Sequence, residues 1–482
     1  MKIIAIIVTL VCCCLMFYVK REWKAALLVM GAMTLTLPMV YIPGIPLHKA
    51  NSLLQAAFLL SEWKNLLQYL KRLRYTPYIW IPLLIVSFSA LLAALTSPYT
   101  GIKITIKSDL LFMYFALVYA FWAVKDEKSL KPILRISIYC LIALTFFGVL
   151  NYIQRNAMFV NAVTEGRTSI IHEGVSLGDA YTESARFRVQ SMFRFPFDYG
   201  YICAAILLLH LHGWYRRLES KREFIIAIAC CSIGILICGC RTVWVSAALS
   251  IACYYMWTFQ LSRNVLYGIF AMILMILSYL TIPAVEKRVN QMTDIFVENS
   301  ETGGSSIQLR MSQYGYVLIH TEGHRLLGLG KGYWTHIYTE DRASVRGLLG
   351  VESVILQNLL ERGIIGLVLW AAFYTIIFLY FWRNRKKRKK LTGLGVSILS
   401  LYLFFSIGTG ELGSVYPTML LLGFVIKAIE YQKLKKLYKL LVRLKQIRNG
   451  SPSSSPLRRN TLRLRLALLR HRLAGNSSND KL

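Results

Sequence analysis

Two segments of this mostly apolar chain carry arginines at positions where they could bind a ligand. The planar guanidinium group of arginine is well suited to bind a phosphate. Arg186, Arg188 and Arg194 lie among aromatic residues in ARFRVQSMFRFPFDYGY (185–201). This mixture suits sugars and lipid headgroups, and it is equally typical of an interfacial belt of aromatic and arginine residues. Arg241 lies between two apolar blocks that leave almost no loop. A cation at membrane depth costs about 3 kcal/mol unless it is paired or faces water. Arg241 is therefore interpreted as an anion clamp, with a snorkelling interfacial arginine as the alternative.

A third polar group precedes the apolar half of GVESVILQNLLERGIIGLVLW (350–370). The carboxylate of Glu352 can serve as a general base, and Gln357 would share one helical face with Glu361. We interpret this run as the rim where a water-soluble substrate meets a membrane-bound one. Glu361 and Arg362 themselves are predicted to be ordinary surface charges at a solvated helix start.

Metal and nucleotide sites find no support in the sequence. GLGKG (328–332) is too short and too far from any strand to be a nucleotide-binding loop, and it predicts a turn. His320, His324 and His336 have no regular ligand spacing, and the ten cysteines lie in apolar blocks without zinc spacing. We therefore expect no metal and no cofactor.

The composition predicts a polytopic membrane protein. The 482 residues are 56% hydrophobic, with a mean hydropathy of +0.48. Apolar residues come in blocks of about 17–22, which is long enough to cross a bilayer. The net charge of +32 would suggest nucleic acid in a soluble protein, but here it is concentrated in short clusters such as RNRKKRKK (383–390) and in the tail. Such clusters mark the cytoplasmic side and attract anionic lipid, so we expect no nucleic-acid partner.

The basic clusters also predict the topology. All fall on one side of the membrane if the weak apolar block at 50–70 crosses it. The chain would then have about thirteen transmembrane helices, with the N-terminus outside and the C-terminus inside; without that crossing, twelve is the alternative. The predicted parts are N-terminal transmembrane helices (1–152), a first extracytoplasmic loop (153–195), central transmembrane helices (196–283), a large, partly helical extracytoplasmic loop (284–362), C-terminal transmembrane helices (363–430), and a basic amphipathic cytoplasmic tail (431–482).

Several of these motifs together resemble the O-antigen polymerase and O-antigen ligase superfamily of membrane glycosyltransferases. They are Arg241 opening a helix, Arg310 upstream of GLGKG, the run ESVILQNLLERGIIG, and RVQSMFRFPFDYG before the middle helices. The resemblance implies an all-α, GT-C-like fold in the bacterial plasma (inner) membrane, with the active site facing outside. Ligases of this family usually have His-Asn where this chain has Glu352-Ser353, and this departure favours a polymerase-like member.

The resemblance also implies a reaction. Oligosaccharide repeat units on polyprenyl pyrophosphate would be joined into a surface polysaccharide such as O-antigen, capsule, exopolysaccharide or teichuronic acid. Arg241 and Arg310 would hold the pyrophosphate, and Glu352 would take the proton of the acceptor hydroxyl. Pyrophosphate leaves well once cations stabilise its charge, so the reaction would need no metal, and one displacement predicts inversion. Further substrate contacts are assigned to Arg186, Arg188, Arg194 and Gln357.

Partners and alternatives follow from the same comparison. Anionic lipids are expected to bind the basic tail, and flippase and chain-length regulator proteins are candidate partners. A ligase that transfers glycan to another acceptor is the first alternative. A membrane transporter is the second, and it is disfavoured because the charges cluster at one mouth, without a relay through the midplane or a repeat of halves.

Overall fold

The structure, a computed structural model, describes residues 2–37, 50–73, 76–164, 188–258, 307–340, 353–410 and 413–450, and most of these residues are in helices. No strand occurs in these ranges, which confirms the all-helical fold class. The helices are α1 Lys2–Tyr18, α2 Arg21–Thr34, α3 Ala50–Ser61, α4 Trp63–Leu73, α5 Pro77–Leu95, α6 Ile102–Thr105, α7 Ala116–Ala123, α8 Leu130–Gln154, α9 Met158–Thr164, α10 Pro196–Tyr215, α11 Lys221–Ile237, α12 Arg241–Thr258, α13 Ile307–His320, α14 Tyr333–Glu340, α15 Val354–Asn384, α16 Lys389–Thr409 and α17 Val415–Gly450. A π-helix, Ile106–Tyr114, joins α6 to α7, and a 3-10 turn, Glu127–Ser129, precedes α8.

Five helical segments in the described ranges are long and apolar enough to cross a membrane. They are Pro77–Leu95, Ile102–Ala123, Glu127–Gln154, Val354–Asn384 and Lys389–Thr409. This agrees with a multi-pass membrane protein. The total of thirteen spans and the GT-C-like arrangement stay predictions, and residues 259–283 of the predicted central helices lie outside the described residues.

The weak apolar block at 50–70 is not one continuous helix. It forms α3 and α4, of 12 and 11 residues, and each is shorter than the roughly 20 residues of a crossing helix. Glu62 at their junction binds Lys24 Nζ at 2.7 Å and accepts a hydrogen bond from the Tyr69 hydroxyl at 2.8 Å. Glu62, which lowers the hydropathy of this block, is therefore the ion-pair partner of the buried Lys24 on α2.

The bundle has two chemically different ends, about 30 Å apart by the length of the 20-residue α10. At one end, Arg216 after α10 donates to Glu127 Oε1 at 2.5 Å, and Lys390 Nζ lies 4.1 Å from the centre of the Tyr215 ring. We call this the basic end, defined by residues 125–131, 216–222 and 383–390. Three of the basic clusters thus lie together, as the topology prediction requires.

The opposite end, where α10 begins, is called the site end. It comprises residues 96–100, 188–198, 237–242, 328–332, 353–362, 408–410 and 413.

Close packing of α12 along α16 connects the two ends. A Cβ on Gly393 would lie 2.5 Å from Thr258 Oγ1, and one on Gly408 would lie 2.8 Å from Thr242 Cγ2. Small residues allow helices in a membrane to approach this closely. The start of α12, which carries Arg241, is thereby held beside the last turn of α16.

Helix α17 runs for 36 residues without interruption, a length of about 54 Å. The predicted tail helix begins within it, so the basic segment up to residue 450 continues α17 directly. Residues 451–482 of the tail lie outside the described residues, and lipid binding by this tail stays a prediction.

Candidate functional site

The polar run that precedes the apolar segment ends at a break in α15. Gly363 has φ 63° and ψ −166°, which is not helical, so α15 consists of two helical halves on either side of it. Only glycine adopts such a conformation without strain. A Cβ at this position would also lie 2.4 Å from the Leu326 carbonyl oxygen. The break is therefore built into the sequence by one residue.

Residues 325–332 pair with the broken backbone. The Leu329 N–H donates to the Leu360 carbonyl (N···O 2.8 Å), and the Gly330 N–H donates to the Glu361 carbonyl (3.1 Å). Beyond the break, the N–H groups of residues 364 and 365 donate to the carbonyls of residues 325 and 326 at 2.9 and 3.2 Å. Backbone groups at membrane depth must be paired within the protein, and here this loop pairs those that the break releases.

The GLGKG segment (328–332) is a turn, as predicted. Its three glycines, Gly328, Gly330 and Gly332, all have positive φ. A Cβ on Gly328 would lie 2.6 Å from the backbone N of Arg362, and one on Gly330 would lie 2.7 Å from the Cα of Ser97. Close approach to α15 on one side and to the end of α5 on the other explains why glycine recurs here.

Four charged side chains converge where this turn meets α15. Lys331 Nζ lies 2.8 Å from Asp109 Oδ2 and 4.0 Å from Glu361 Oε2. Arg362 Nη2 lies 3.9 Å from Asp109 Oδ2. Glu361 Oε1 also accepts the Gly332 N–H at 3.0 Å. We call these four residues, Asp109, Lys331, Glu361 and Arg362, the charge cluster.

Asp109 reaches the cluster from the π-helix between α6 and α7. π-helical turns are rare overall, and those that do occur are often located at functional sites. The Tyr114 side chain, five residues further along the same π-helix, lies beside the cluster.

The two carboxylates keep Lys331 charged. Burial by itself disfavours the ammonium, but the nearby charges of Asp109 and Glu361 outweigh burial, so the pKa of Lys331 is raised above its ordinary value. With Arg362 permanently protonated, two cations face two carboxylates. The cluster is thus polar but close to neutral.

A cavity of about 130 Å³ opens at the charge cluster. Besides the four charged residues, its walls contain two amides, a phenol and a thioether, from Gln357, Asn358, Tyr114 and Met113. A compact, mixed-charge wall with amide and hydroxyl groups fits the hydroxyls of a sugar better than it fits a strong anion.

Two of the predicted site residues lie near the C-terminal end of α16. Thr242, next to Arg241, touches Gly408, and Gln357 touches Gly410: a Cβ on Gly410 would lie 2.6 Å from Gln357 Nε2. Gln357 also lines the cavity. The structure thus brings Arg241 and Gln357, more than a hundred positions apart in sequence, to the same end of the bundle.

The arginine-rich segment lies at this end as well. The Val189 N–H donates to the Ile237 carbonyl at 3.4 Å, which places Arg188 beside the turn that leads to Arg241. The Arg194 guanidinium lies 5.0 Å from the centre of the Phe195 ring. Asp198 Oδ1 accepts the Gly413 N–H at 3.0 Å and so joins the start of α10 to the turn after α16.

Three predicted residues are not described in full. Arg186 and Glu352 lie outside the described residues. Arg310 is in α13, two turns before Val317, but its side chain is not among those described. Val317 packs with Leu356 and Leu360, so α13 lies against the first half of α15. Ser353, which follows Glu352, has its carbonyl bonded to the Gln357 N–H at 2.9 Å.

The prediction that Glu361 and Arg362 are ordinary surface charges was wrong. Arg362 is only 7% exposed, and both residues belong to the charge cluster. Asp109 and Lys331 were missed altogether. The glycine spacing in GLGKG was a signal for a close backbone approach, but nothing in the sequence pairs Lys331 with an aspartate more than two hundred residues away.

These features define a class of protein: an all-helical, multi-pass membrane protein with a polar site at one end of its bundle. A family model described as O-antigen ligase matches residues 226–371, from α11 to the start of the second half of α15. The match confirms the resemblance to the O-antigen ligase and polymerase superfamily, whose members are membrane glycan-processing enzymes. No curated protein matches the chain.

Proposed function

We propose that this protein polymerises polyprenyl-pyrophosphate-linked oligosaccharide repeat units at the outer leaflet of a bacterial plasma membrane. One observation carries the proposal. Arg241 and Gln357 are both within the matched family region. Thr242, next to Arg241, lies against Gly408, and Gln357 lies against Gly410, at the end of the bundle that holds the cavity. This supports a role for Arg241 as the cation for the leaving group, and for the cavity as the pocket for the acceptor.

In the proposed reaction, the acceptor hydroxyl oxygen attacks the anomeric carbon of the donor chain. The bond from that carbon to the pyrophosphate oxygen breaks, and the electron pair leaves with polyprenyl pyrophosphate. Glu352 takes the hydroxyl proton, and Arg241 and Arg310 stabilise the negative charge that develops on the leaving group. One displacement inverts the anomeric configuration and requires no metal.

The two regions of the site end would divide the substrates between them. Arginines from the 188–198 segment and Arg241 provide positive charge for the donor's pyrophosphate. The charge cluster offers balanced charges with amide and phenol groups, which suits the non-reducing sugar of the acceptor. Gln357 lines the cavity and lies against Gly410, two residues after the Gly408 that meets Thr242, so it would lie between donor and acceptor.

A ligase remains the second candidate, because the family match covers both activities. The polymerase is preferred because Glu352-Ser353 stands where family ligases usually have His-Asn. A carboxylate there can still serve as the general base.

The experiment is electrophoresis of carrier-linked and surface glycans from cells with Glu352→Gln or Arg241→Ala, with protein level checked by immunoblot. Loss of a general base lowers the rate by about 10²–10⁴-fold, and loss of a charge-stabilising donor lowers it by about 10²–10³-fold. We expect single repeat units to accumulate while long chains disappear. Glu322→Gln and Arg222→Ala, both at exposed positions, are the matched controls.

Other outcomes separate the alternatives. Long chains trapped on the carrier lipid would identify a ligase. An unchanged ladder at normal protein level would refute the assignment of Glu352 and Arg241 to the site. Repeat units that fail to reach the outer leaflet at all would indicate a transporter.

A further inference from the structure

A second and larger cavity, of about 410 Å³, lies at the basic end. It is enclosed by α2, the first turns of α8, and the turn between α10 and α11. Its wall combines three cations with apolar groups: Lys131, Arg135, Arg217, Trp23, Leu134 and Ile138. The proposed polymerase reaction makes no use of this cavity, which is separated from the site end by the length of α10.

Positive charge prevails in this cavity because its cations outnumber its two carboxylates. Glu219 Oε2 lies 2.6 Å from His210 Nδ1. Glu223 Oε2 accepts the Ser220 N–H at 2.7 Å, within the capping box of α11. Three cations against two carboxylates leave one net positive charge, and both carboxylates are already held by neighbours in the fold.

Arg217, which lines this cavity, has an uncommon backbone conformation. Its φ is +56°, in the left-handed region that glycine adopts without strain. An arginine there costs about 1 kcal/mol or more. The turn between α10 and α11 thus accepts strain at a residue whose side chain lines the cavity.

The apolar side of the cavity is followed along α8 by an exposed apolar face. Leu134 and Ile138 line the cavity, and further along α8 the residues Tyr139, Ile142 and Phe146 are 67%, 47% and 58% exposed. Positions 139, 142 and 146 lie on one face of a helix. Trp23, at the cavity wall, is the residue type that favours the headgroup level of a membrane.

We propose that this cavity binds the phosphodiester headgroup of an anionic phospholipid, with an acyl chain lying along the exposed face of α8. Lys131, Arg135 and Arg217 hold the phosphate, and Trp23 packs at the junction of headgroup and chain. Basic pockets between transmembrane helices on the cytoplasmic side are suited to anionic headgroups. The lipid would tie α2, α8 and the α10–α11 turn together, and this site is separate from the basic tail.

The test is native mass spectrometry of the full chain purified in detergent and titrated with dioleoylphosphatidylglycerol or dioleoylphosphatidylcholine. The cavity variant is Lys131→Gln/Arg135→Gln/Arg217→Gln. The control variant, Lys128→Gln/Lys221→Gln/Arg222→Gln, removes the same charge from exposed positions at the same end that do not line the cavity. Both variants keep the basic tail.

We expect tight binding of one phosphatidylglycerol, weakened about tenfold or more in the cavity variant and less than threefold in the control. Circular dichroism and gel filtration before the titration verify that both variants are folded.

Equal weakening in both variants would overturn the proposal in favour of general surface attraction. Equal affinity for the two lipids would overturn it as well. A third arm adds inorganic phosphate at millimolar concentration. If phosphate displaces the lipid completely, the cavity is a free-anion site and the acyl chain contributes nothing, which would also refute the proposal.

Discussion

Replacing Gly363 by alanine should disconnect the GLGKG loop from α15. The new Cβ would lie 2.4 Å from the Leu326 carbonyl oxygen and 2.6 Å from the Gly328 N. Both are backbone atoms, so no side-chain rotation can relieve the overlap. Either the loop moves away or the break in α15 changes its conformation.

The size of the effect follows from what the loop would lose. Four backbone hydrogen bonds join residues 325–330 to residues 360–365, each contributing about 1 kcal/mol net. An alanine at φ 63° adds about 1–3 kcal/mol of backbone strain. Allowing for partial relaxation, the loop should lose about 3–6 kcal/mol of local stability.

Hydrogen exchange of the purified protein in detergent measures this loss directly. Peptides that cover residues 325–332 and 360–366 should exchange at least about 100-fold faster in Gly363→Ala, because 1.4 kcal/mol corresponds to a factor of ten. Repeat units should also accumulate in cells although every charged residue is retained.

Gly315→Ala is the matched control. Gly315 lies in α13, where a Cβ meets nothing within 4 Å, and alanine favours a helix by about 1 kcal/mol over glycine. Unchanged exchange in Gly363→Ala, with long glycan chains still formed, would refute the view that the break and the loop form one unit.

Further predictions concern buried charges. Lys331→Met should destabilise the protein by about 3 kcal/mol, because Asp109 loses its nearest cation. Thermal unfolding of the double variant with Asp109→Asn should show that most of the lost stability is recovered. Additive losses of stability in the double variant would contradict the pairing. The pKa of Lys331 is raised in the folded protein. Its contribution to stability is therefore complete below its unfolded pKa of about 10.4 and is lost as the pH rises through the higher folded pKa. Melting temperatures measured above about pH 10 should show this loss in the wild type and not in Lys331→Met. Glu127→Gln should cost about 1–2 kcal/mol through its weakened contacts with Arg216 and Gln432, whereas Glu322→Gln at an exposed position should change nothing.

Much of the architecture could be predicted because lipid imposes local rules. A chain in a bilayer must pair its own backbone groups, so long apolar blocks become helices. In membrane proteins, basic clusters lie on one side of the bilayer, and residues 125–131, 216–222 and 383–390 do lie together at one end of the bundle. Arg241 and Gln357 were predicted as site residues from their position at the mouths of apolar blocks, and they do lie at one end.

Long-range pairing was beyond the reach of those rules. Glu62 weakens the hydropathy of 50–70, and only the fold shows that it binds Lys24 and ends α3. Asp109 stands in a block that was predicted to cross the membrane, and its π-helical setting has no signature in a single sequence. Arg362 was assigned to the surface because charge normally goes there, but a partner 253 positions earlier in the chain, Asp109, makes its burial possible.

The polar run at the mouth of an apolar helix is a consequence of how the helix is broken. An unbroken α15 would satisfy its own backbone and leave nothing to hold the 325–332 loop. The break at Gly363 releases the carbonyls of Leu360 and Glu361, and the loop amides take them. The loop can come this close because Gly328 has no Cβ to meet the Arg362 N at 2.6 Å. Loop and break are therefore paired as one unit, which includes three members of the charge cluster. The geometry of the cavity is thus set by backbone pairing, so a change of backbone that removes no charge should still abolish function.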